Sequence, residues 1–126
     1  MLDKSKVSIL LAEDEPTLRL IFEKQLKQLG YNTLEKVENG LLAVEKAKTN
    51  RYQLIFLDIN MPELNGLLTA ERIRQEEQKE DGLRTPIVAL TALDLQHECL
   101  TSGMDDFLRK PIFLADLQRT IDKWTK

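Results

Sequence analysis

The sequence predicts an α/β domain in which a parallel sheet is covered by helices on both faces. Three short runs, at residues 7–12, 53–57 and 86–90, are largely apolar without alternation, as expected of strands buried on both sides. Between them the apolar residues recur at helical spacing. Regular alternation of strand and helix implies right-handed crossovers between parallel strands.

The first run, Val7-Ser8-Ile9-Leu10-Leu11-Ala12, is closed by Glu13-Asp14-Glu15-Pro16, so acids fall at its C-terminal end. Pro16 suits the first turn of a helix, and Leu18, Ile21, Phe22, Leu26 and Leu29 follow at helical spacing until Gly30. Residues 31–37 form a more polar strand suited to a sheet edge. Glu38-Asn39-Gly40 turns the chain into a second helix, over about 40–49, with Leu41, Val44 and Ala47 on one face. The run at 53–57 is the most apolar and ends at Asp58, after which Met61-Pro62-Glu63-Leu64-Asn65-Gly66 forces a loop. A third helix uses Leu67, Ala70 and Ile73 and dissolves into the charged segment 76–84, expected to be a solvated helix end and loop. The run at 86–90 ends at Thr91, and a polar fourth helix spans about 94–102 before Gly103. Residues 106–109 make a short fifth strand leading to Lys110-Pro111, and Leu114, Leu117, Ile121 and Trp124 mark a final amphipathic helix.

The 126 residues suit one packed core, so a single domain over 1–126 is expected, with no internal repeat, low-complexity tract or boundary. Hydrophobic residues at 42% and charged residues at 31% are those of a chain that folds. Eighteen Lys and Arg against 21 Asp and Glu leave a net charge of −3, which argues against direct binding of nucleic acid or an anionic membrane surface. A lone Cys99 and a lone His97 make neither an internal disulfide nor a zinc site, and both read as surface or packing residues. The polar start, Met1 to Lys6, has no apolar signal region, and no run approaches about 18 apolar residues. A cytoplasmic protein is expected.

Parallel strands all end at one edge of a sheet, so the residues that follow them meet there although they are distant in sequence. Here those residues are Glu13, Asp14, Asp58, Thr91 and Lys110. Like charges about 4 Å apart repel by about 4 kcal/mol per pair at an effective dielectric near 20, so three acids together need a counter-charge. A hard cation such as Mg²⁺ supplies one, taking carboxylates, waters and phosphate oxygens as ligands. Lys110 can pair with Asp58 at rest and with a phosphoryl oxygen later, while Thr91 can donate to another such oxygen. These are the parts that phosphoryl transfer asks for: positioning and charge neutralisation. Taken singly, each residue also reads as a helix cap or a surface ion pair. That reading leaves unexplained why four of five strand ends carry groups complementary for one reaction.

At this point the residues closely resemble the receiver domains of two-component response regulators, over essentially the whole chain. The resemblance is carried by Glu13-Asp14, Asp58 with Met61-Pro62 and Gly66, Thr91-Ala92, and Lys110-Pro111. The phrases Leu11-Ala12-Glu13-Asp14, Pro86-Ile87-Val88-Ala89-Leu90-Thr91-Ala92 and Gly103-Met104-Asp105-Asp106-Phe107-Leu108 are similar to receivers of hybrid histidine kinases and phosphorelays. The resemblance implies a flavodoxin-like, doubly wound five-stranded sheet in order 2-1-3-4-5 with five helices. It implies Asp58 as phosphoacceptor, Asp14 as direct metal ligand, Glu13 as the second acid, often acting through water, and the backbone carbonyl of Asn60 as a third protein ligand for Mg²⁺ or Mn²⁺. It further implies Thr91 and Lys110 as holders of the phosphoryl oxygens, a cis peptide before Pro111, and Phe107 as a switch aromatic. Two positions depart from the commonest pattern: Asn65 stands where an acid is frequent, and Glu13 where Asp is frequent.

The implied function is a phosphorylation switch, a phosphoacceptor and not a classical enzyme, that assists its own phosphorylation and dephosphorylation. The phosphoryl group comes from a histidine kinase or histidine phosphotransfer domain, and the surface of the fourth helix, fifth strand and fifth helix is altered toward a downstream protein target. An interaction module that no longer depends on phosphorylation is the alternative. A haloacid-dehalogenase-like phosphatase is disfavoured because Glu13-Asp14-Glu15 is not the D-x-D motif it needs. A flavodoxin-like cofactor module lacks its phosphate loop after the first strand.

Overall fold

The computed structural model describes residues 3–80 and 82–125. Met1 and Leu2 of the polar start, Asp81 of the charged segment and Lys126 lie outside the described residues. A 3-10 turn at Lys4–Lys6 precedes β1 (Ser8–Ala12), α1 (Pro16–Gln28), β2 (Thr33–Val37), α2 (Gly40–Thr49) and β3 (Leu54–Asp58). The chain continues through α3 (Gly66–Lys79), β4 (Ile87–Thr91), α4 (Gln96–Thr101), β5 (Asp106–Arg109) and α5 (Leu114–Trp124). The strands form one sheet in the order β2-β1-β3-β4-β5, and each neighbouring pair is parallel. This is the doubly wound fold that the sequence implies.

Both faces of the three central strands are buried, which is why their sequences do not alternate between apolar and polar. Leu10, Ala12, Ile55, Leu57, Ile87 and Ala89 point into one core with Ala43, Ala70, Ile73, Cys99 and Met104. Their neighbours Ile9, Leu11, Leu54, Phe56, Val88 and Leu90 point into the other, with Phe22, Leu26, Leu117 and Ile121. A one-residue slip of any central strand would exchange its two side-chain sets between cores of different shape, so the register is well specified. The polar strand β2 lies at an edge, as expected, and its Lys36 pairs with Glu23 of α1 at 2.9 Å.

Helix starts are set by side-chain caps. Glu15 accepts from the Thr17 amide, Asn39 from Leu42 and Asn65 from Leu68, each satisfying an orphan N–H of a first turn. Capping accounts for Asn65, whose amide oxygen does this work without adding a charge near the acidic end of the sheet.

The structure corrects two readings. In α1 only Phe22 and Leu26 are buried, while Leu18 and Ile21 are 39% and 48% exposed. In α2 the packing position belongs to Ala43, with Val44 and Ala47 half-buried and Leu41 facing outward. A predicted apolar stripe is wider than the strip a sheet covers. The charged segment 76–84 is a solvated helix end and loop as expected, with α3 ending at Lys79 and residues 78–80 and 82–84 exposed. Arg74 donates to Glu77, to the carbonyls of Thr85 and Gly103, and to Asp105, all within 2.8 Å. Arg84 adds a second cation on Asp105 at 2.8 Å. These charges tie α3 to the entry of β4 and β5.

Gly40 lets the start of α2 touch the loop before α3. A Cβ there would lie 2.1 Å from the Thr69 hydroxyl and 2.3 Å from the Leu64 carbonyl. Gly40→Ala is therefore expected to cost roughly 1–3 kcal/mol by overpacking, measured as a lower urea midpoint with an unchanged slope; wild-type stability would show that the loop yields freely.

Candidate functional site

The β1 exit turns at Glu13, whose amide donates to the Val37 carbonyl at 3.1 Å. Asp58 ends β3, and the next amide, Ile59, donates to the Leu90 carbonyl at 3.1 Å. The Lys110 amide donates to the Thr91 carbonyl at 2.8 Å. Ladder bonds thus run one residue past the strands, tying the β1 exit to β2 and the exits of β3 and β5 to β4. Gly66 closes the β3 exit: its amide donates to the Ile59 carbonyl at 2.9 Å, and a Cβ would sit 2.3 Å from the Asp58 carbonyl. Buried Met61 and Leu64 anchor the loop between them, and Glu63 takes a left-handed backbone with φ 68°.

At this edge the Lys110 ammonium lies 3.0 Å from Glu13 Oε1 and 3.1 Å from Asp58 Oδ1. Carboxylate oxygens of Glu13, Asp14 and Asp58 all lie within 4.8 Å of one another. Glu13 and Asp58 are buried, at 2% and 5% exposure, while Asp14 faces solvent. Thr91 is buried at the neighbouring exit, but its hydroxyl is engaged by its own loop, donating to the Leu93 carbonyl at 3.1 Å and accepting from the Leu93 amide at 3.0 Å. Asn60 is exposed two residues past Asp58. The Lys110–Pro111 peptide is cis. Phe107 is half-buried and packs against the core that contains Cys99 and Met104. His97 is exposed on α4, and Cys99 faces the core, where burial first and then the Glu98 charge push its thiol up.

One ammonium faces two buried carboxylates, and the imbalance falls on Glu13. Burial, together with its hydrogen bond to Asp58, raises Glu13 from 4.5 to about 7 against the opposing pull of Lys110. Burial also pulls the Lys110 ammonium down, but its bonds to Glu13 and Asp58 outweigh that and leave it above the ordinary lysine range. The direction that matters is a proton retained on the acid side of a permanently charged lysine. An all-oxygen set of carboxylates with surplus negative charge fits a hard divalent cation.

Arg19, which apolar periodicity passes over, braces this site from behind. Its Nη1 donates to the carbonyls of Glu13 at 2.8 Å and Asp14 at 3.1 Å. The one signal in the sequence is a cation in the first turns of a helix, where the macrodipole disfavours it.

A family model, the response regulator receiver domain, matches residues 9–122. The chain belongs to that family. It is 38% identical over 93% of its length to the sensor histidine kinase GacS of Pseudomonas protegens, of which it spans 13%. It also resembles the receiver domain of sensor histidine kinase PA1611 from Pseudomonas aeruginosa, solved with a magnesium ion coordinated in its active-site cleft. That match has a TM-score of 0.84 and 38% identity, covering 94% of this chain and 97% of that one. The receiver domain of the response regulator Ssk1 of Saccharomyces cerevisiae, solved with the histidine phosphotransfer protein Ypd1, matches with a TM-score of 0.89 and 30% identity, covering 96% of this chain and 90% of that one. The chain spans from 4% to 16% of the length of the histidine kinases and hybrid signal transduction proteins it matches. No helix among the described residues is long and apolar enough to cross a membrane.

A carboxylate whose folded pKa is raised makes the protein more stable at low pH, because the folded state binds the extra proton. That contribution is complete below 4.5 and is lost as pH rises through about 7. Chelator-treated protein is therefore expected to lose stability between about pH 5 and 8, and Mg²⁺ is expected to flatten the loss by competing with the Glu13 proton. Urea midpoints across that range, with Glu13→Gln as control, are the check; a slope unchanged by both Mg²⁺ and Glu13→Gln places the proton elsewhere.

Proposed function

We propose that this chain acts as one receiver unit over residues 1–126 and takes a phosphoryl group onto Asp58 from a phosphohistidine. The observation that carries this reading is the meeting of Glu13, Asp14, Asp58 and Lys110, from three separate strand exits, at one point. An Asp58 carboxylate oxygen attacks phosphorus; the O–P bond forms as the P–N bond breaks, and the electron pair returns to the donor imidazole. When bound, Mg²⁺ or Mn²⁺ would supply positive charge against the phosphoryl oxygens, held by Asp14, Asp58 and the Asn60 carbonyl, with Glu13 acting through water. Lys110, already on Asp58, transfers its hydrogen bond to a phosphoryl oxygen. Hydrolysis of the acyl phosphate at the same residues restores the resting carboxylate.

Thr91 is the link from chemistry to shape. To donate to a phosphoryl oxygen its hydroxyl must give up its bond to the Leu93 carbonyl, while the bond it accepts from the Leu93 amide ties the loop from β4 to α4 to its movement. Phe107, half-buried beside that core, turns into the space released. The face of α4, β5 and α5 then presents itself differently to a downstream protein, which is a population shift between two packings.

The phosphodonor docks over α1. Leu18 and Ile21 are exposed at a cleft of about 160 Å³ whose lining includes Lys110 and Glu13. An apolar face continuous with the phosphoacceptor site suits a helical phosphotransfer partner, consistent with the neighbour solved beside one. A net charge of −3 supports action without nucleic acid or a membrane surface.

Incubation with acetyl phosphate and Mg²⁺ is expected to add one phosphoryl group, read by intact mass, and Asp58→Asn or chelation to abolish it; persistence in both refutes the reading. Lys110→Ala is expected to keep metal binding while removing the NMR shift changes in α4 and β5 that follow phosphorylation. Ile21→Lys is expected to slow transfer from a histidine phosphotransfer protein that loads the wild type by about 10-fold or more, with the acetyl phosphate rate unchanged; equal slowing of both rates would count against α1 as the docking face.

A further inference from the structure

We infer that Arg19 is a positioning residue for the metal-binding acids, holding the Glu13–Asp14 turn from its backbone side. The inference rests on the metal reading of Glu13, Asp14 and Asp58 given above and extends it to a residue outside the acid cluster. Arg19 lies in the second turn of α1, half-buried, and reaches back along the helix to the loop that precedes it. Two successive carbonyls, those of Glu13 and Asp14, accept from the same Nη1, at 2.8 and 3.1 Å. No carboxylate among the described residues forms an ion pair with Arg19. Its place so early in a helix opposes the macrodipole, so these carbonyls are what its geometry serves.

The consequence follows from peptide geometry. A planar peptide with a pinned carbonyl leaves its residue little rotational freedom, and here two consecutive peptides are pinned. The same turn is tied from its other side: the Glu13 amide donates to Val37, and the Glu15 amide, at 3.4 Å, donates to Glu13 Oε2. With carbonyls turned toward Arg19, the side chains of Glu13 and Asp14 are left facing Asp58, within the 4.8 Å that defines the cluster. Asp14 gains most, being the exposed member with no hydrogen bond to its own carboxylate among the described residues. The Nη1 amino group carries two N–H bonds in fixed planar directions, one for each carbonyl, which a freely rotating lysine ammonium on a shorter stem holds less well. Outer-shell residues of this kind set metal affinity by orienting the ligands.

The test is magnesium binding by isothermal titration calorimetry on the full chain, in wild type, Arg19→Met and Arg19→Lys. Arg19→Met is expected to weaken Mg²⁺ binding about 10-fold, with Arg19→Lys between it and wild type. Amide shift changes in the metal-free variants should centre on residues 13–17 and spare β2 and α2. In acetyl phosphate labelling, the Mg²⁺ concentration at half-maximal rate should rise while the rate at saturating Mg²⁺ is retained, a split that general loosening does not produce. Wild-type Mg²⁺ affinity in Arg19→Met overturns the inference and leaves the metal reading standing. Failure of the wild type to bind Mg²⁺ removes the metal reading itself. Should Arg19→Met not fold, Arg19→Lys decides alone: unchanged affinity overturns the inference and a several-fold loss supports it. Shift changes spread over the whole sheet, with affinity lost in step with stability, would mean that Arg19 serves the fold only, and would also overturn it.

Discussion

The fold's working edge depends on a single ammonium. Lys110 bridges Glu13 and Asp58, at 3.0 and 3.1 Å, across the exits of β1, β3 and β5. Without it, two buried carboxylates would face each other, and a buried charge that loses its partner costs several kcal/mol. With it, the edge is still short of positive charge, and Glu13 keeps a proton up to about pH 7. A site left deliberately under-neutralised is one that a divalent cation, and then a phosphoryl group, can complete. Stability is surrendered locally so that binding has something to gain.

The rest of the molecule makes such an edge affordable. Its three central strands carry different side-chain sets into two separate cores, so neither sliding nor rotation of a strand is available to relieve the repulsion. Distant braces act in the same sense. Arg74 and Arg84 hold the entry of β5 through Asp105, and Trp124 donates to Asp106 at 2.8 Å from the end of α5. One end of β5 is thus anchored, while its other end carries Lys110. In the switch we propose, movement on phosphorylation would fall on the loop that follows Thr91, where the restraints on the hydroxyl are two bonds to Leu93.

Legibility in the sequence tracked the physical range of each interaction. The central strands and the first-turn place of Pro16 were readable because burial on two faces and helix entry are written in neighbouring residues, whereas the caps at Glu15, Asn39 and Asn65 came from the structure. The edge strand β2 was readable from its polarity. What misled was the far side of an amphipathic pattern: Leu18, Ile21 and Leu41 keep helical spacing with their buried neighbours but lie beyond the strip that the sheet covers. The ion pair of Arg74 was not readable for a related reason, since its partner, Asp105, is 31 residues away. Arg19 escaped because its acceptors are backbone carbonyls, which have no identity in a sequence.

By itself, then, the sequence determined that strands and helices alternate, that acids and a lysine follow successive strands, and hence which side chains share one edge of the sheet. Strand polarity alone carries that inference, and polarity follows from local pattern. Tertiary structure decided the rest: that Lys110 touches Glu13 as well as Asp58, that Thr91 rests on Leu93, that part of α1 stays bare, and that Arg19 stands behind the acids. The first depends on contacts between segments 52 and 97 residues apart, and the others on how the loops and helix settle once two cores pack at once, which residue types alone do not specify.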